Sequence, residues 1–279
     1  MRETIAYIRH SLQDIYPPGE LQAFVRLIME NVCGLTTCQL LTGKDRDLSE
    51  IERSKINEIV IGLREQEPIQ YLLGEAVFRG LPFWVTPAVL IPRPETAELV
   101  ERIVRDFQAA SSFSLLDIGT GSGCIAVSLA KALPQAEVEA LDVSPEALAV
   151  AEENARRQEV AVRFSQADIL QAIPSPERFD LIVSNPPYVM RKESSQMERN
   201  VLDYEPHLAL FVPDDDPLRF YRAIADYAGV ALRPNGQLYL EINPLCADEM
   251  VVMLQEKHYR DIELMCDFYG KTRFVCARL

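Results

Sequence analysis

Apolar residues near the start of the chain recur at three- and four-residue steps. Leu21, Phe24, Val25, Ile28 and Met29 form one stripe, and Leu48, Ile51, Ile56, Ile59, Val60 and Leu63 form another. That spacing predicts amphipathic helices. Ser49 stands where it can cap the second, and Pro17-Pro18-Gly19 and Thr42-Gly43 divide the segment into short pieces. Residues 1–75 therefore read as a small helical bundle with no chemistry of its own.

The pattern changes at residue 76. Val77 to Val85 reads as a β-hairpin with Gly80 and Pro82 at or near its turn. Pro87, Pro92 and Pro94 then stiffen an extended linker, so residues 76–94 form the boundary. From 95 to 279, short apolar runs alternate with helical patterns. The runs are 115–118, 138–143, 162–164, 180–184, 237–242, 262–266 and 273–277. Helices are predicted over 124–133, 145–157, 218–232 and 247–258, with Ser144 capping the second and Arg233-Pro234-Asn235-Gly236 ending the third. Such alternation predicts a mostly parallel sheet with helices on both faces. The last two strands, joined by a turn at Gly270, should pair antiparallel.

Composition narrows the partners. The chain of 279 residues carries 28 basic and 42 acidic side chains, a formal net charge of -14. A protein that coats naked nucleic acid needs Lys and Arg to neutralise phosphate, so no direct nucleic-acid partner is expected. Six cysteines and three histidines show no metal-site spacing, and no metal is expected. The opening residues lack a signal-peptide core, and no run of about 18 apolar residues could span a membrane. The expectation is a monomeric cytoplasmic protein.

The strongest local signal is Asp117-Ile118-Gly119-Thr120-Gly121-Ser122-Gly123, between a strand and a helix. Glycines allow a tight turn and close approach to a ligand at a helix N-terminus. The spacing is G-x-G-x-G, not the G-x-G-x-x-G of dinucleotide sites. Asp142 ends the next strand, where a carboxylate can accept hydrogen bonds from ribose hydroxyls. A ribose occurs in both NAD and S-adenosylmethionine, so Asp142 does not separate them; the glycine spacing favours S-adenosylmethionine, which has no pyrophosphate. Asp168, after the third strand, is either a turn-capping residue or an acceptor for an adenine amino group, with Ile169 placed to cover the adenine face.

Asn185-Pro186-Pro187-Tyr188 ends the fourth strand. Ligands of open α/β sheets sit beyond the carboxyl ends of strands, so this segment should share a crevice with the glycine loop. An amide nitrogen is a poor nucleophile because its lone pair is delocalised into the carbonyl. Acceptors at both of its N–H bonds would hold it and favour loss of that conjugation. The Asn185 side-chain oxygen and the Pro186 carbonyl are candidates, Pro187 helps fix the backbone, and Tyr188 offers a flat wall. Methyl transfer from a sulfonium then needs mainly positioning.

With these residues in place, the chain resembles the HemK/PrmC family of protein-(glutamine-N5) methyltransferases that act on peptide chain release factors. The similarity runs through Ile91-Pro92-Arg93-Pro94-Glu95-Thr96, Asp117 to Gly123, Leu141 to Leu148, Ser184 to Tyr188, Tyr204 to Leu210, Phe220-Tyr221, Leu232 to Gly236 and Leu240-Glu241-Ile242. The resemblance implies a Rossmann-like class I S-adenosylmethionine-dependent methyltransferase sheet behind a small N-terminal helical domain and a β-hairpin linker. It implies methylation of the glutamine of a Gly-Gly-Gln loop in a translation release factor, with S-adenosylhomocysteine as the second product. Gly119 to Gly123, Asp142 and Asn185 would bind the cofactor, with Asp168 and Ile169 beside it. Asn185 to Tyr188 would hold the glutamine, with Arg93, Thr96 and Glu205 also on the substrate side, and the N-terminal helices would grip the release factor. Ala97, Asn243 and residues 211–217 depart from the family pattern. The Asn-Pro-Pro-Tyr segment is shared with adenine-N6 methyltransferases on DNA or RNA, which stand as the alternative, and a binding module without catalysis is a second one.

Overall fold

The computed structural model describes residues 1–42 and 46–279. Gly43, read above as part of a helix break, lies outside the described residues. Two compact units emerge: Met1–Glu75 together with Glu198–Tyr204, and Ala76–Met197 together with Glu205–Leu279.

The first unit contains α1 (Arg2–Leu12), α2 (Pro18–Cys33), α3 (Thr37–Thr42), α4 (Glu50–Arg64) and α5 (Ile69–Leu73). The predicted stripes form its core: Phe24, Ile28 and Met29 of α2 meet Ile56, Val60 and Leu63 of α4 and Ile8 and Leu12 of α1. Ile51 is the exception, 82% exposed. It sits in the first turn of α4, on the face away from the stripe. Ser49 caps that helix through a reciprocal box: its hydroxyl accepts from the Glu52 N–H at 3.2 Å, and the Glu52 carboxylate accepts from the Ser49 N–H at 2.8 Å. Residues 198–204, expected with the third segment, belong to this unit, where the Tyr204 hydroxyl donates to the Glu65 carbonyl at 2.9 Å.

The second unit opens with the hairpin β1 (Glu75–Phe78) and β2 (Leu81–Trp84). Its two-residue turn puts Arg79 and Gly80 at positive φ, 50° and 75°, the backbone that matches strand twist. Pro82 lies near that turn, as the second residue of β2. Pro94, expected in the linker, is the first residue of α6 (Pro94–Phe107), a helix the sequence reading omitted. Proline at a helix start loses nothing, because that N–H would have no partner anyway.

Then follow β3 (Phe113–Ile118), α7 (Cys124–Ala132), β4 (Ala136–Asp142), α8 (Pro145–Arg157), β5 (Arg163–Gln166), β6 (Phe179–Ser184) and a two-residue β7 (Val189–Met190). The short α9 (Arg199–Tyr204) lies in the first unit. The remainder is β8 (Phe211–Val212), α10 (Arg219–Ala231), β9 (Leu232–Glu241), α11 (Ala247–Glu256), β10 (Arg260–Cys266) and β11 (Thr272–Arg278). The seven-stranded sheet has the order β10-β11-β9-β6-β3-β4-β5. Its first five strands in sequence run parallel; β11 pairs antiparallel with β9, and β10 with β11. The third predicted helix stops one residue early: Leu232 already pairs with Phe179, and a register shift absorbs Arg233 to Gly236.

The central strands are buried on both faces. Leu115 and Leu181 point towards α6 and α7, and Leu116 and Ile182 towards α10 and α11. Strand order reverses between β3 and β6, so a crevice opens beyond their carboxyl ends.

Candidate active site

The glycine loop takes its shape from three left-handed residues, Gly119 (φ 72°), Gly121 (φ 54°) and Gly123 (φ 79°), a region where a Cβ is strained. The first two border open space, whereas a Cβ on Gly123 would meet the Ala151 Cβ of α8 at 3.0 Å. Thus Gly119 and Gly121 let the loop turn with open space above it, and Gly123 lets α7 pack on α8. The Gly119 and Thr120 N–H groups donate to the Leu141 carbonyl at 2.8 and 3.0 Å, tying the loop to the end of β4.

Asp142 closes that end. One oxygen accepts from the Gly121 N–H at 2.8 Å and the other from the Ser144 N–H at 3.0 Å. Each carboxylate oxygen has two lone pairs, so acceptor capacity remains for a ligand hydroxyl. Asp168 lines the same cleft and also braces its own turn, accepting from the Leu170 N–H at 2.9 Å and the Gln171 amide at 3.0 Å. Both readings of Asp168 are therefore compatible with its position.

Ser184 and Ile118 are register partners in β6 and β3, so Asn185 and Gly119 leave the sheet side by side. Between them lies a cleft of about 410 Å³, within the range of small-molecule sites. Its walls include Gly119, Thr120, Gly121, Ser122, Asp142 and Ile169 on one side, and Asn185, Pro186 and Pro187 on another. Arg93 and Thr96 also border it. Gly123, Tyr188 and Glu205 stand behind the cleft wall.

The reasons differ. Tyr188 turns its ring inwards against the apolar core and donates its hydroxyl to Glu241 at 3.1 Å. Glu205 is buried and staples the linker, accepting from the Ile91 N–H at 3.1 Å and from Arg93 at 2.6 Å. Thr96 is buried too; its hydroxyl donates to Glu241 at 2.6 Å and accepts from the Asn185 side-chain NH₂ at 3.2 Å.

Four further residues shape the site. Glu241, at the end of β9, is 1% exposed and gathers Thr96 and Tyr188 on its two oxygens. Burial raises its carboxyl to about 6 against the pull of those bonds. Asp117, wholly buried, accepts from the Thr120 hydroxyl at 2.6 Å and the Ala126 N–H at 3.2 Å on one oxygen. Its other oxygen has no hydrogen-bond partner, and burial raises the group to about 7. Both were visible as lone acids at the ends of apolar strands. Asn154 of α8 carried no such signal; it exchanges two hydrogen bonds with the Trp84 backbone and donates to the Ser122 carbonyl at 2.9 Å. Asn243, noted as a departure, donates to the Tyr188 carbonyl at 3.1 Å and to Glu193 at 3.0 Å. The segment after Leu210 runs on as β8 beside β7, and Ala97 packs against the core.

Among the described residues, no three His, Cys, Asp or Glu side chains are grouped to hold a metal ion, and no helix is long and apolar enough to cross a membrane.

The fold and the family it matches together define a methyltransferase of the class I type. Residues 96–204 match the Methyltransferase small domain family and residues 3–74 the PrmC N-terminal domain family. A methyltransferase from Pyrococcus furiosus shares the fold at a TM-score of 0.52, with 17% identity over 81% of this chain and 96% of that one. The release factor glutamine methyltransferase of Bacteroides thetaiotaomicron is 49% identical over 99% of both chains. That of Flavobacterium psychrophilum is 46% identical over 95% of this chain and 94% of its own. The chain belongs to the release factor glutamine methyltransferase family.

Proposed function

We propose that this protein transfers a methyl group from S-adenosylmethionine to the side-chain amide nitrogen of the glutamine in the Gly-Gly-Gln loop of a translation release factor. The observation that carries the reading is the juxtaposition of Asn185 with the glycine loop at the reversal point of the sheet, in a chain of this family.

The residues fit the cofactor. Gly119 and Gly121 leave open space over the loop, Asp142 keeps acceptor capacity towards the cleft, and Asp117 holds an unpartnered oxygen beside the loop. Gly119 to Gly123 would hold the amino-acid part, Asp142 the ribose, and Asp168 and Ile169 the adenine. When bound, S-adenosylmethionine supplies a methyl group on a sulfonium, an electrophile that needs no further activation.

The protein's part is to present the nitrogen. Asn185 offers its side-chain oxygen to one amide N–H, and the Pro186 carbonyl offers a second acceptor. Two acceptors draw the N–H bonds out of the amide plane and localise the lone pair, and such fixed dipoles need no reorganisation during reaction; as the methyl leaves the sulfonium for the nitrogen, the nitrogen gives up one of its two protons to water, leaving a neutral secondary amide. Pro187 restricts the backbone, while Tyr188 holds the segment from inside through Glu241. Arg93 borders the cleft where the substrate loop would enter, with Glu205 fixing it. In this reading the N-terminal helices bind the release factor, and the enzyme acts as a monomer in the cytoplasm without binding nucleic acid. Mass mapping of a release factor after incubation with enzyme and cofactor tests the proposal: a gain of one methyl on the loop glutamine supports it, and an unmodified glutamine refutes it.

A further inference from the structure

We propose that Glu241 and Thr96 act as positioning residues that set which way the Asn185 amide faces, presenting its oxygen to the substrate nitrogen. The inference rests on the glutamine-methylating reading above and concerns how its acceptor is made.

An asparagine amide has nearly the same shape in either orientation, so its neighbours decide which atom points where. An ionised carboxylate only accepts. Glu241 takes the single Thr96 hydroxyl proton on Oε2 at 2.6 Å. The Thr96 oxygen can then only accept from Asn185, and the atom facing it at 3.2 Å is Nδ2. The Asn185 oxygen is left on the opposite side of the planar group, in a residue that borders the cleft. Polarity thus runs one way, from Asn185 through Thr96 to Glu241. The second Glu241 oxygen holds the Tyr188 hydroxyl at 3.1 Å, and Asn243 holds the Tyr188 carbonyl at 3.1 Å. Glu241 therefore reaches Tyr188 directly and Asn185 through Thr96, and Asn243 just beyond β9 adds a second hold on Tyr188.

Reversing the polarity at Glu241 would turn the amide. A donor placed on the Oε2 side, by a proton there or by the NH₂ of an amide in its place, gives Thr96 a donor to face, frees its hydroxyl proton for the Asn185 oxygen, and offers the substrate an NH₂ instead of an acceptor. The groups around Glu241 are Thr96 and Glu95 on α6, Tyr188 after β6, Arg273 on β11, Cys124 on α7 and Tyr221 on α10. Arg273 favours the ionised carboxylate and Glu95 opposes it, while burial is the larger opposing influence.

The test compares Glu241→Gln, Thr96→Val and Thr96→Ser in the full chain, with methylation of a release factor, S-adenosylmethionine affinity by calorimetry, and melting temperature. Expected results are a fall in kcat of roughly 100-fold for T96V, a fall no larger for E241Q, whose amide can also turn its oxygen to Thr96 and its NH₂ to Tyr188, cofactor Kd and release-factor KM within about three-fold, and near-normal kcat for T96S. In the native enzyme kcat should fall as pH drops through the Glu241 titration. Should E241Q fail to fold, the T96V and T96S pair carries the decision. Normal kcat in T96V, or equal losses in T96V and T96S, overturns the inference. A native enzyme that leaves every release factor unmodified overturns instead the reading on which it rests.

Discussion

The Ser184 hydroxyl donates to the Ile118 carbonyl at 2.6 Å, tying together the last residues of β6 and β3. The two are also register partners, so the Asn185–Tyr188 segment and the glycine loop start from one rigid edge. A bond between reactants that must meet within about 3–3.5 Å depends on such rigidity.

Asn185→Ala removes the acceptor proposed for the substrate nitrogen without touching the glycine loop. We predict turnover reduced by roughly 10²–10³-fold, with cofactor affinity within several-fold of normal. Calorimetry with S-adenosylmethionine beside single-turnover kinetics separates the two effects; unchanged turnover would remove Asn185 from its assigned role.

Asp142→Ala should act on the other partner. It deletes the acceptor proposed for the ribose hydroxyls and leaves the Gly121 and Ser144 N–H groups without their carboxylate partner. We predict weaker cofactor binding by about 1–3 kcal/mol, read as Kd by calorimetry. Normal affinity would take Asp142 out of the site.

Much of this was legible in the sequence. The period of apolar positions placed α2, α4 and the central strands, and glycines and prolines marked the loops. What escaped was held by long-range contacts. Helix α6 starts on Pro94, and a third proline after Pro87 and Pro92 looks like more linker. From the sequence alone Tyr188 reads as a cleft wall, yet its hydroxyl partner Glu241 lies 53 positions away in sequence. Glu205 looked like a substrate contact, and its partner Arg93 is 112 positions away. Charges drawn in from distant segments leave no local pattern.

Asn154 illustrates the same point and gives a third prediction. Its side chain makes three hydrogen bonds to backbone atoms of Trp84 and Ser122. Asn154→Ala leaves the buried Ser122 carbonyl and the part-buried Trp84 backbone groups without that partner. We predict a loss of about 2–3 kcal/mol in stability, measured by urea unfolding, with weaker cofactor binding because Ser122 belongs to the loop. Stability equal to the native protein would contradict the clamp.

Stability should also respond to pH through Asp117. Burial raises its carboxyl from 3.8 to about 7 in the folded protein, and Asp142 adds to the rise. Between those values the folded protein keeps a proton that the unfolded chain releases. Stability from this group is therefore full below the unfolded value and is lost as pH rises through about 7. Glu241 contributes in the same direction up to about 6. We predict that Asp117→Asn flattens the fall in ligand-free stability over this window, followed by urea midpoints at several pH values. An unchanged slope would show that Asp117 is not the buried acid responsible.

The central claim is most directly tested by label transfer. Purified protein is incubated with methyl-labelled S-adenosylmethionine, a release factor, and a copy whose Gly-Gly-Gln glutamine is replaced. The account predicts label on the native factor alone. Equal label on both factors, or label on DNA or RNA with none on the native factor, would contradict it.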